Sequence, residues 1–431
     1  MSVPEKFLKS RRSSDVDANG SKMGNLFGRH QRPAFHSTVE PRDTSKEITL
    51  CKNPALIIVD QVIGKVNCGY VFSGYLENKK VSLTKVGSSK NCAEEAEFLR
   101  NLNHENVIRY LFTFEDVDCV FIVTENFESS LKDCIGVFKF QHSMVQDLMT
   151  QLTDAVEYLQ SLKIAHLNLT PSSIFIRGGQ NKTVKVADFS CAMQFRGGGK
   201  QNVKKLPADS TFSAPEICNQ GKADLLCDVY SLGAIMFYIY SQGARLNSIE
   251  RQTSDQIVKT WKSNLKSNDI LCVDLIEKLI EFYPWNRLRA DVIKQHPFYW
   301  DSQRIVNFII EFNQLIESSD KKFRFQLYEN SKRVIGDSEN WMMRIEPEIL
   351  DEINQVKTKF RLNSRYSNED ERVNIISLVK TMRNILVHSQ SQTIKDAMGT
   401  SELFVKYWLT KFPILIFHLY NVTILNRLQK K

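Results

Sequence analysis

The sequence predicts an α+β domain, in which a small antiparallel sheet is followed by helices, and then a second domain that is entirely helical. From about residue 50 the chain contains short β-branched runs separated by Gly, Asn and Lys turns, as in an antiparallel sheet. After about residue 143, apolar residues recur with the 3.6-residue period of helices. Beyond the segment HPFYW, at residues 296–300, only helical patterns remain.

The composition is that of an ordinary globular protein. Of its 431 residues, 42% are hydrophobic and 25% are charged, which suits about two or three domains. The formal net charge of +8 is modest and is compatible with weak attraction to a polyanion such as RNA. The nine cysteines include no CxxC pair, a pattern typical of thiols in a reducing compartment rather than of disulfides or a zinc site. We therefore expect a cytoplasmic protein, with a nuclear location as the alternative.

The domain boundaries follow changes in composition. Residues 1–48 are rich in Ser, Arg, Gly and Asp without periodicity, so they are expected to form a disordered tail. Residues 49–299 contain the α+β domain, and residues 300–431 contain the helical domain. The apolar stretch at 412–425 is too short and too polar for a membrane span, and the N-terminus shows no secretory signal.

Residues 63–71, IGKVNCGYV, form a glycine-containing segment between two predicted strands. Together with the motifs that follow it, this segment resembles the glycine-rich loop of protein kinases, and residues 56–299 as a whole resemble a protein kinase domain. Gly64 and Gly69 occupy the first and third glycine positions, whereas Val66 occupies the second. Because glycine lets the backbone approach phosphates closely, valine at the centre of the loop weakens that contact.

Three further residues match nucleotide-binding groups of that family: Lys85, Glu95 and Asp188. The resemblance implies that Lys85 binds the phosphates, that Glu95, on a helix, is the partner of Lys85, and that Asp188 binds a metal ion. It implies a bilobal protein-kinase-like fold and ATP or ADP as a structural ligand, with magnesium left open. The alternative is that Lys85 and Glu95 form only a structural ion pair between the two lobes.

Residues 164–176, IAHLNLTPSSIFI, resemble a kinase catalytic loop in which the reactive groups are replaced. Asn168 stands where the family has the Asp that accepts the substrate proton, and a neutral amide cannot be that base. Thr170 replaces the Lys that steadies the transferring phosphoryl group, and Ser173 replaces the Asn that holds a second magnesium ion. Because phosphoryl transfer depends on positioning and charge stabilisation, the sequence predicts a pseudokinase. An active kinase would need another acid to replace the base missing at Asn168.

Motifs of the helical lobe complete this resemblance. Glu216 in SAPE and Asp228 in CDVYSLG match that lobe, and Arg287 in NRLRA is expected to pair with Glu216.

The segment SLVKTMRNILVHS combines a helical period with a cluster of polar groups. The apolar residues of one helix face are Ile375, Val379, Met382 and Leu386. At 100° per residue, Asn384 and His388 fall about 180–220° from that face, on the expected solvent side, and they are i,i+4 neighbours. Arg383 lies one position around the rim. A cation that fits a phosphate and an imidazole that exchanges protons near neutral pH thus converge without metal ligands.

The ordered motifs of the second domain resemble the kinase-extension nuclease family, which includes ribonuclease L and the inositol-requiring kinase/endoribonuclease. The matching segments are HPFYW at 296–300 with the helix after it, ENWMMRIEPEI at 339–349, KTKFR at 357–361, KFPILIFHLYNV at 411–422, and the Arg-Asn-x-x-x-His of Arg383, Asn384 and His388. The resemblance implies an all-α kinase-extension nuclease domain, RNA as substrate, a homodimer with no membrane or DNA partner, and a stress-response role.

The reaction implied by the resemblance is metal-independent cleavage of single-stranded RNA through a 2′,3′-cyclic phosphate, with no cofactor needed. His388 is then the general acid, and Arg383 and Asn384 stabilise the phosphate. Tyr366, in the loop before the helix, is the candidate base or phosphate contact, with a plain loop aromatic as the alternative. Acidic residues 369–371 lie in the same loop.

Two interpretations remain open at the level of the sequence. The first is a ribonuclease controlled by a pseudokinase, which Arg383, Asn384 and His388 favour. The second is a catalytically inactive scaffold that binds RNA or proteins, in which the three residues are ordinary exposed positions of an amphipathic helix. The acidic loop favours the scaffold, as does the fact that no luminal sensor, membrane span or ankyrin repeat precedes the kinase-like domain in this sequence.

Overall fold

The fold is described from a computed structural model of the chain. It describes residues 47–49 and 56–429, with gaps at 67–68, 88–89, 117–118, 128, 138–139, 178–181, 198, 208, 247–269, 330, 337–339, 360–373 and 389–390. The predicted tail at residues 1–46 therefore lies outside the described residues.

The small lobe of the kinase-like domain is an antiparallel sheet of six strands in the order β1-β2-β3-β4-β6-β5. The strands are β1 (Glu47–Thr49), β2 (Leu56–Val66), β3 (Gly69–Leu76), β4 (Lys79–Gly87), β5 (Tyr110–Asp116) and β6 (Cys119–Glu125). Residues 47 and 48, placed in the tail by composition, instead belong to β1, because they pair in register with Val59 and Ile58 of β2. The helix α1 (Lys90–Asn101) lies beside β5.

The helical lobe contains six described helices and several two- to four-residue strands. The helices are α2 (Leu131–Cys134), α3 (His142–Ser161), α4 (Pro215–Gln220), α5 (Cys227–Tyr240), α6 (Ile270–Leu279) and α7 (Ala290–Ile293). The strands are β7 (Ser129–Ser130), β8 (Ile164–Ala165), β9 (Ile174–Arg177), β10 (Thr183–Val186), β11 (Met193–Gln194), β12 (Gln201–Asn202) and β13 (Lys222–Ala223). This α+β architecture confirms the fold class predicted for the first domain.

The second domain is helical throughout its described residues, which confirms its predicted class. Its helices are α8 (Ser302–Ser318), α9 (Lys321–Glu329), α10 (Ser331–Ile335), α11 (Pro347–Lys359), α12 (Ile375–His388), α13 (Gln392–Met398), α14 (Ser401–Lys411) and α15 (Leu415–Gln429). Helix α8 begins where the Asp301 carboxylate accepts the backbone N–H of Arg304 at 2.6 Å, which satisfies one of the free donors of the first turn.

Each domain has its own hydrophobic core. The core of the helical lobe is built around α3 and α5 and continues to Phe298, and that of the helical domain begins at Ile305. No helix in the described part of the chain combines the length and the apolar character needed to cross a bilayer.

Side chains at the end of the kinase-like domain contact the last helix of the chain. The ring of Tyr420 in α15 lies 5.3 Å from that of His296 and 5.8 Å from that of Trp300, centroid to centroid. Lys278 of α6 places its ammonium 5.3 Å from the Tyr420 ring and 3.4 Å from Oδ1 of Asn421. This aromatic and polar cluster fixes α15 against the helical lobe.

Candidate nuclease site and kinase-like cleft

Helix α12 is held firmly at its first turn. The Asn374 side chain caps the helix by accepting the backbone N–H of Ser377 at 3.0 Å. Its amide nitrogen donates to the Tyr328 hydroxyl of α9 at 2.7 Å. The indole N–H of Trp341, whose side chain is fully buried, donates to the Ser377 hydroxyl at 2.9 Å. The position of α12 is therefore determined by contacts with two other parts of the domain.

The two faces of α12 differ from the predicted pattern in one respect. The apolar face is buried as expected at Ile375, Val379 and Met382, and Ile385 extends it. The side chains of Arg383, Asn384 and His388, predicted to lie on or at the rim of the solvent side, are half-buried, so this side of the helix is partly covered. Half-burial reduces solvent screening and strengthens electrostatic interactions at this site.

Arg383 brings the three predicted nuclease residues together. Its Nη1 donates to Asn384 Oδ1 at 3.1 Å and lies 3.4 Å from His388 Nε2. Because a guanidinium can only donate, Asn384 turns its oxygen toward Arg383, and His388 Nε2 acts as an acceptor there. The amide N–H groups of Asn384 are thereby directed away from Arg383, where they can donate to a substrate oxygen.

Tyr366, the fourth predicted catalytic residue, lies outside the described residues, as does the acidic loop segment at 369–371. The described part of the site therefore consists of three side chains from a single helix.

The loop at 164–176 has the backbone framework of a kinase catalytic loop. Both carboxylate oxygens of the buried Asp228 accept backbone N–H groups, from His166 at 2.6 Å and from Leu167 at 2.9 Å. Leu167 has a φ of 59°, a strained conformation for a residue with a branched side chain. Burial raises the pKa of Asp228 to about 6, although the two backbone N–H groups lower it.

The three substituted positions of this loop are buried and bonded within the loop. Ser173 donates its hydroxyl to the Asn168 backbone oxygen at 2.8 Å and accepts the Thr170 backbone N–H at 2.9 Å. The Asn168 amide points to the backbone oxygen of Asp188 at 3.4 Å. These side chains therefore stabilise the loop conformation, and none of them is a carboxylate or an amine that could replace the missing groups.

Asp188, the predicted metal ligand, is buried and has a left-handed backbone conformation, with φ 63°. One carboxylate oxygen accepts the Ser190 hydroxyl at 2.6 Å. Phe189 packs edge-on against His166, with 4.6 Å between ring centroids, which anchors this segment to the catalytic loop.

The structure does not bring Lys85 and Glu95 together. Lys85 is exposed on β4, where its ammonium lies 6.0 Å from the centre of the Phe121 ring, whereas Glu95 is buried on α1. Among the ion pairs between described residues, none joins these two side chains. In this conformation neither the predicted role of Glu95 as the partner of Lys85 nor the alternative of a structural ion pair between the lobes is met.

The structure requires glycine at one of the two loop positions, Gly69, but not at the other, Gly64. A Cβ atom at Gly69 would lie 1.9 Å from the Lys85 backbone oxygen, so the pairing of β3 with β4 requires glycine there. At Gly64 a Cβ atom would meet only Val71 at 4.0 Å, so packing does not require glycine. Lys85 and Asp188 remain the residues that fit a nucleotide phosphate and its metal ion.

Glu216 and Arg287 form the predicted ion pair, which is buried and bidentate at 2.7 Å for both bonds. Burial alone would raise the pKa of Glu216, but the hydrogen bonds and charge of Arg287 hold it below its usual value. Asp224 and Cys227 lie close enough to Glu216 to form a cluster of three metal-ligand types. Because Arg287 already engages both oxygens of Glu216, this cluster is a structural ion-pair network.

Two features were missed by the sequence predictions. One is a cavity of about 770 Å³ behind α1, lined by Glu94, Glu97, Phe98, Met193 and Arg196 among others. It arises from elements far apart in the chain, so no local pattern could predict it. The other is an exposed aromatic residue, Phe325, within the basic segment KKFRFQLYE at 321–329, which the sequence alone could have indicated.

The order of domains and the residues described above agree with the comparisons to known families. The family model for the protein kinase domain matches residues 59–299, more than half of the chain, and the model for ribonuclease 2-5A matches residues 305–431. The chain therefore belongs to the protein kinase family, and it carries a ribonuclease 2-5A domain directly after the kinase domain. This combination confirms its membership of the kinase-extension nuclease family.

The similar proteins that share this order of domains include kinase/endoribonucleases. The chain is 25% identical over 378 residues to the serine/threonine-protein kinase/endoribonuclease ire-1 of Caenorhabditis elegans, covering 82% of this chain and 37% of that protein. It is 24% identical over 417 residues to the sensor for unfolded proteins in the ER ire1 of Schizosaccharomyces pombe, covering 85% of this chain and 38% of that protein. It is also 26% identical over 288 residues to an inactive serine/threonine-protein kinase/endoribonuclease IRE1-like protein of Arabidopsis thaliana, covering 63% of this chain. The chain thus spans well under half the length of the first two relatives.

Proposed function

We propose that the protein is a metal-independent endoribonuclease that cleaves unpaired RNA and that its kinase-like domain is a pseudokinase with a regulatory role. The observation that supports this best is the juxtaposition of Arg383, Asn384 and His388 at the C-terminal end of α12, with Arg383 in hydrogen-bonding distance of both neighbours. The ribonuclease 2-5A domain and the endoribonuclease relatives support RNA as the substrate.

In the proposed reaction, the ribose 2′-oxygen attacks the adjacent phosphorus and the bond to the 5′-oxygen breaks. The products are a 2′,3′-cyclic phosphate and a free 5′-hydroxyl. Arg383 and the amide N–H groups of Asn384 stabilise the charge that develops on the phosphate oxygens. His388 donates a proton to the leaving 5′-oxygen. Tyr366 is the candidate that, as the tyrosinate, receives the proton of the 2′-hydroxyl or, as the phenol, contacts the phosphate.

Substrate binding would change the contacts of His388. In the free protein the imidazole Nε2 faces the Arg383 guanidinium and acts as an acceptor. A phosphate that takes the donors of Arg383 removes this contact and adds negative charge beside the ring. Nε2 is then released from the guanidinium and can face the leaving 5′-oxygen.

The decisive experiment is cleavage of a labelled RNA stem-loop in EDTA by the full chain and by His388→Ala. We expect wild-type cleavage to survive EDTA and to yield cyclic-phosphate ends, and the His388→Ala rate to fall about 10²–10⁴-fold. Because His388 is only half-buried at the end of α12, its replacement should leave folding and RNA binding nearly intact. If wild type and variant are equally inactive on every RNA at high protein concentration, a non-catalytic scaffold replaces this proposal.

The pseudokinase part of the proposal rests on the buried, internally bonded side chains of Asn168, Thr170 and Ser173. We expect no transfer of the γ-phosphate of ATP to the protein itself or to generic substrates. The check is incubation with labelled ATP and magnesium, with Asp188→Ala as the control. Incorporation of label that disappears in Asp188→Ala would contradict this part of the proposal and leave the nuclease untouched.

Activity is proposed to require a homodimer in the cytoplasm. The three described site residues all lie on one helix, so they form a single wall of the site. Catalytic groups on the other side of the phosphate must come from elsewhere, and a second copy of the helical domain can supply them. The role of the relative that is named a sensor for unfolded proteins suggests a stress-response pathway.

A further inference from the structure

We propose that the outward side of α9 and the neighbouring turn of α10 bind a single-stranded segment of RNA next to the nuclease helix. This α9 surface consists of Lys321, Lys322, Phe325, Tyr328 and Arg333. The proposal rests on the proposed nuclease function and adds to it a separate site that holds the substrate.

Helix α9 divides its side chains between the core and the solvent. Phe323 and Leu327 are buried in the core of the helical domain. At 100° per residue, Lys321, Phe325 and Tyr328 fall within about 60° of one another on the opposite side. The Phe325 side chain is 62% exposed, which leaves a face of its ring open to the solvent. Such an exposed aromatic ring offers a surface on which a base can stack.

The cations of the α9 surface are available to bind phosphates. Lys321, Lys322 and Arg333 are exposed. Arg304 pairs with Glu311 and Lys411 with Glu346, whereas no described residue forms an ion pair with Lys321, Lys322 or Arg333. Arg324, by contrast, is used within the fold, because it donates to the backbone oxygen of Ile316 at 3.2 Å.

The α9 surface adjoins the nuclease helix directly. The Tyr328 hydroxyl accepts a hydrogen bond from Asn374, the capping residue of α12, at 2.7 Å. Arg383 lies nine residues after Asn374, which corresponds to about 14 Å along the axis of α12 and about 180° around it. A strand whose scissile phosphate lies at Arg383 therefore has to run along and around α12, over several nucleotides, to reach the α9 surface.

The chemistry of this surface favours unpaired RNA over duplex. An exposed ring stacks on the face of a base, and such faces are accessible in single strands and loops but not inside a helix. Exposed lysines neutralise backbone phosphates without reading the sequence. The expected ligand is thus a single-stranded RNA segment with little sequence preference, flanking the cleavage position.

The test measures binding of a short unpaired RNA by fluorescence anisotropy, with the full chain carrying His388→Ala so that the RNA stays intact. Adding Phe325→Ala should weaken binding about 5- to 150-fold, and Phe325→Trp should restore it. Tyr283→Ala, which removes an exposed aromatic residue of the kinase-like domain, should leave binding unchanged. A duplex of the same sequence should bind more weakly and should not respond to Phe325→Ala.

The charges are tested by salt dependence. Replacing both Lys321 and Lys322 by Ala should reduce the slope of log K against log salt by about 1.4, since each single-strand phosphate contact contributes about 0.7. Lys80→Ala, an exposed cation on the small lobe, is the matched control. Equal affinity and slope in all variants would overturn the α9 site.

Failure of this inference can be separated from failure of the nuclease proposal. If wild type cleaves RNA while Phe325→Ala changes neither KM nor affinity, the nuclease stands and the α9 site is wrong. If no RNA is cleaved but Phe325→Ala still weakens binding, the α9 site stands and the nuclease proposal is wrong. In the outcome that supports both, Phe325→Ala raises KM and leaves kcat nearly unchanged.

Discussion

At the scale of single residues, His166 is a buried histidine whose protonation state determines part of the stability of the kinase-like domain. Burial lowers the pKa of His166 to about 4, so the ring is neutral at pH 7. Its Nε2 then donates to the Ala187 backbone oxygen at 3.0 Å, and its Nδ1 accepts the Asn168 backbone N–H at 3.2 Å. Because this pKa lies below that of an unfolded chain, the unfolded state binds protons more readily. The stabilisation is complete above about pH 6.5 and is lost as the pH falls toward 4.

We predict that His166→Gln changes the pH dependence of stability in a defined direction. Asp228, which accepts the His166 backbone N–H, titrates in the opposite sense, because burial raises its pKa to about 6. The difference between variant and wild type isolates the histidine. The free energy of unfolding of the variant relative to wild type should rise by up to about 1.4 kcal/mol per pH unit as the pH falls from 6 to 4.5. Urea unfolding at several pH values measures this, and a constant difference would show that the ring does not titrate as stated.

Spacing along the chain predicted contacts within one element, whereas the contact between Glu216 and Arg287, in different elements, was predicted only through the resemblance to kinases. Helix geometry made Asn384 and His388 neighbours because they lie four residues apart. The contacts of Arg383 with Asn384 and His388, one and five residues away, depend instead on the reach of the arginine side chain. Lys85 and Glu95 lie on a strand and a helix, so their separation depends on how α1 sits against the sheet. That placement is a property of tertiary packing, and the sequence pattern gave no information about it.

At the scale of elements, α15 connects the two domains through the ring of Tyr420. Replacing Tyr420 by Ala removes contacts with His296, Trp300 and the Lys278 ammonium. For a half-buried aromatic ring we predict a loss of about 2 kcal/mol in the free energy of unfolding. Tyr420→Phe keeps the ring and should recover most of the loss in urea titrations. Faster hydrogen exchange in α15 and α8 of the Ala variant would locate the effect, and unchanged stability would contradict this role.

The element classes were predictable because apolar periods of 2 and 3.6 are local properties of the chain. The helices α8 and α12 follow their predicted segments. The strand β1 escaped prediction because it has only three residues and exists through pairing with β2. The half-burial of His388 also escaped prediction, since a helical wheel separates two faces but cannot show which neighbouring elements cover the rim.

At the scale of the whole molecule, nucleotide binding is predicted to stabilise the protein through Lys85 and Asp188. Lys85 is exposed and does not pair with Glu95, so Lys85→Ala alone should change stability by less than about 0.5 kcal/mol. ATP or ADP should stabilise wild type by about 2.7 kcal/mol at a hundredfold excess over Kd. Thermal-shift titration, with and without magnesium, should show this effect in wild type and not in Lys85→Ala. No shift at millimolar nucleotide would contradict the prediction.

The assembly of the molecule is tested by mixing active and inactive chains. In the proposed dimer, each nuclease site combines His388 of one chain with groups from the partner chain. Dilute wild type should then be inactive because it is monomeric. The His388→Ala chain can still contribute the partner's groups, since only its imidazole is removed. Adding excess His388→Ala to dilute wild type should therefore raise the cleavage rate per wild-type chain at saturating RNA.

The same dimer predicts the concentration dependence of wild type alone. The rate should rise with the square of protein concentration below the dimer dissociation constant and linearly above it. Analytical ultracentrifugation over the same range should place the change of slope where dimers form. A rate that is linear throughout, with no response to added His388→Ala, would show that one chain completes the site.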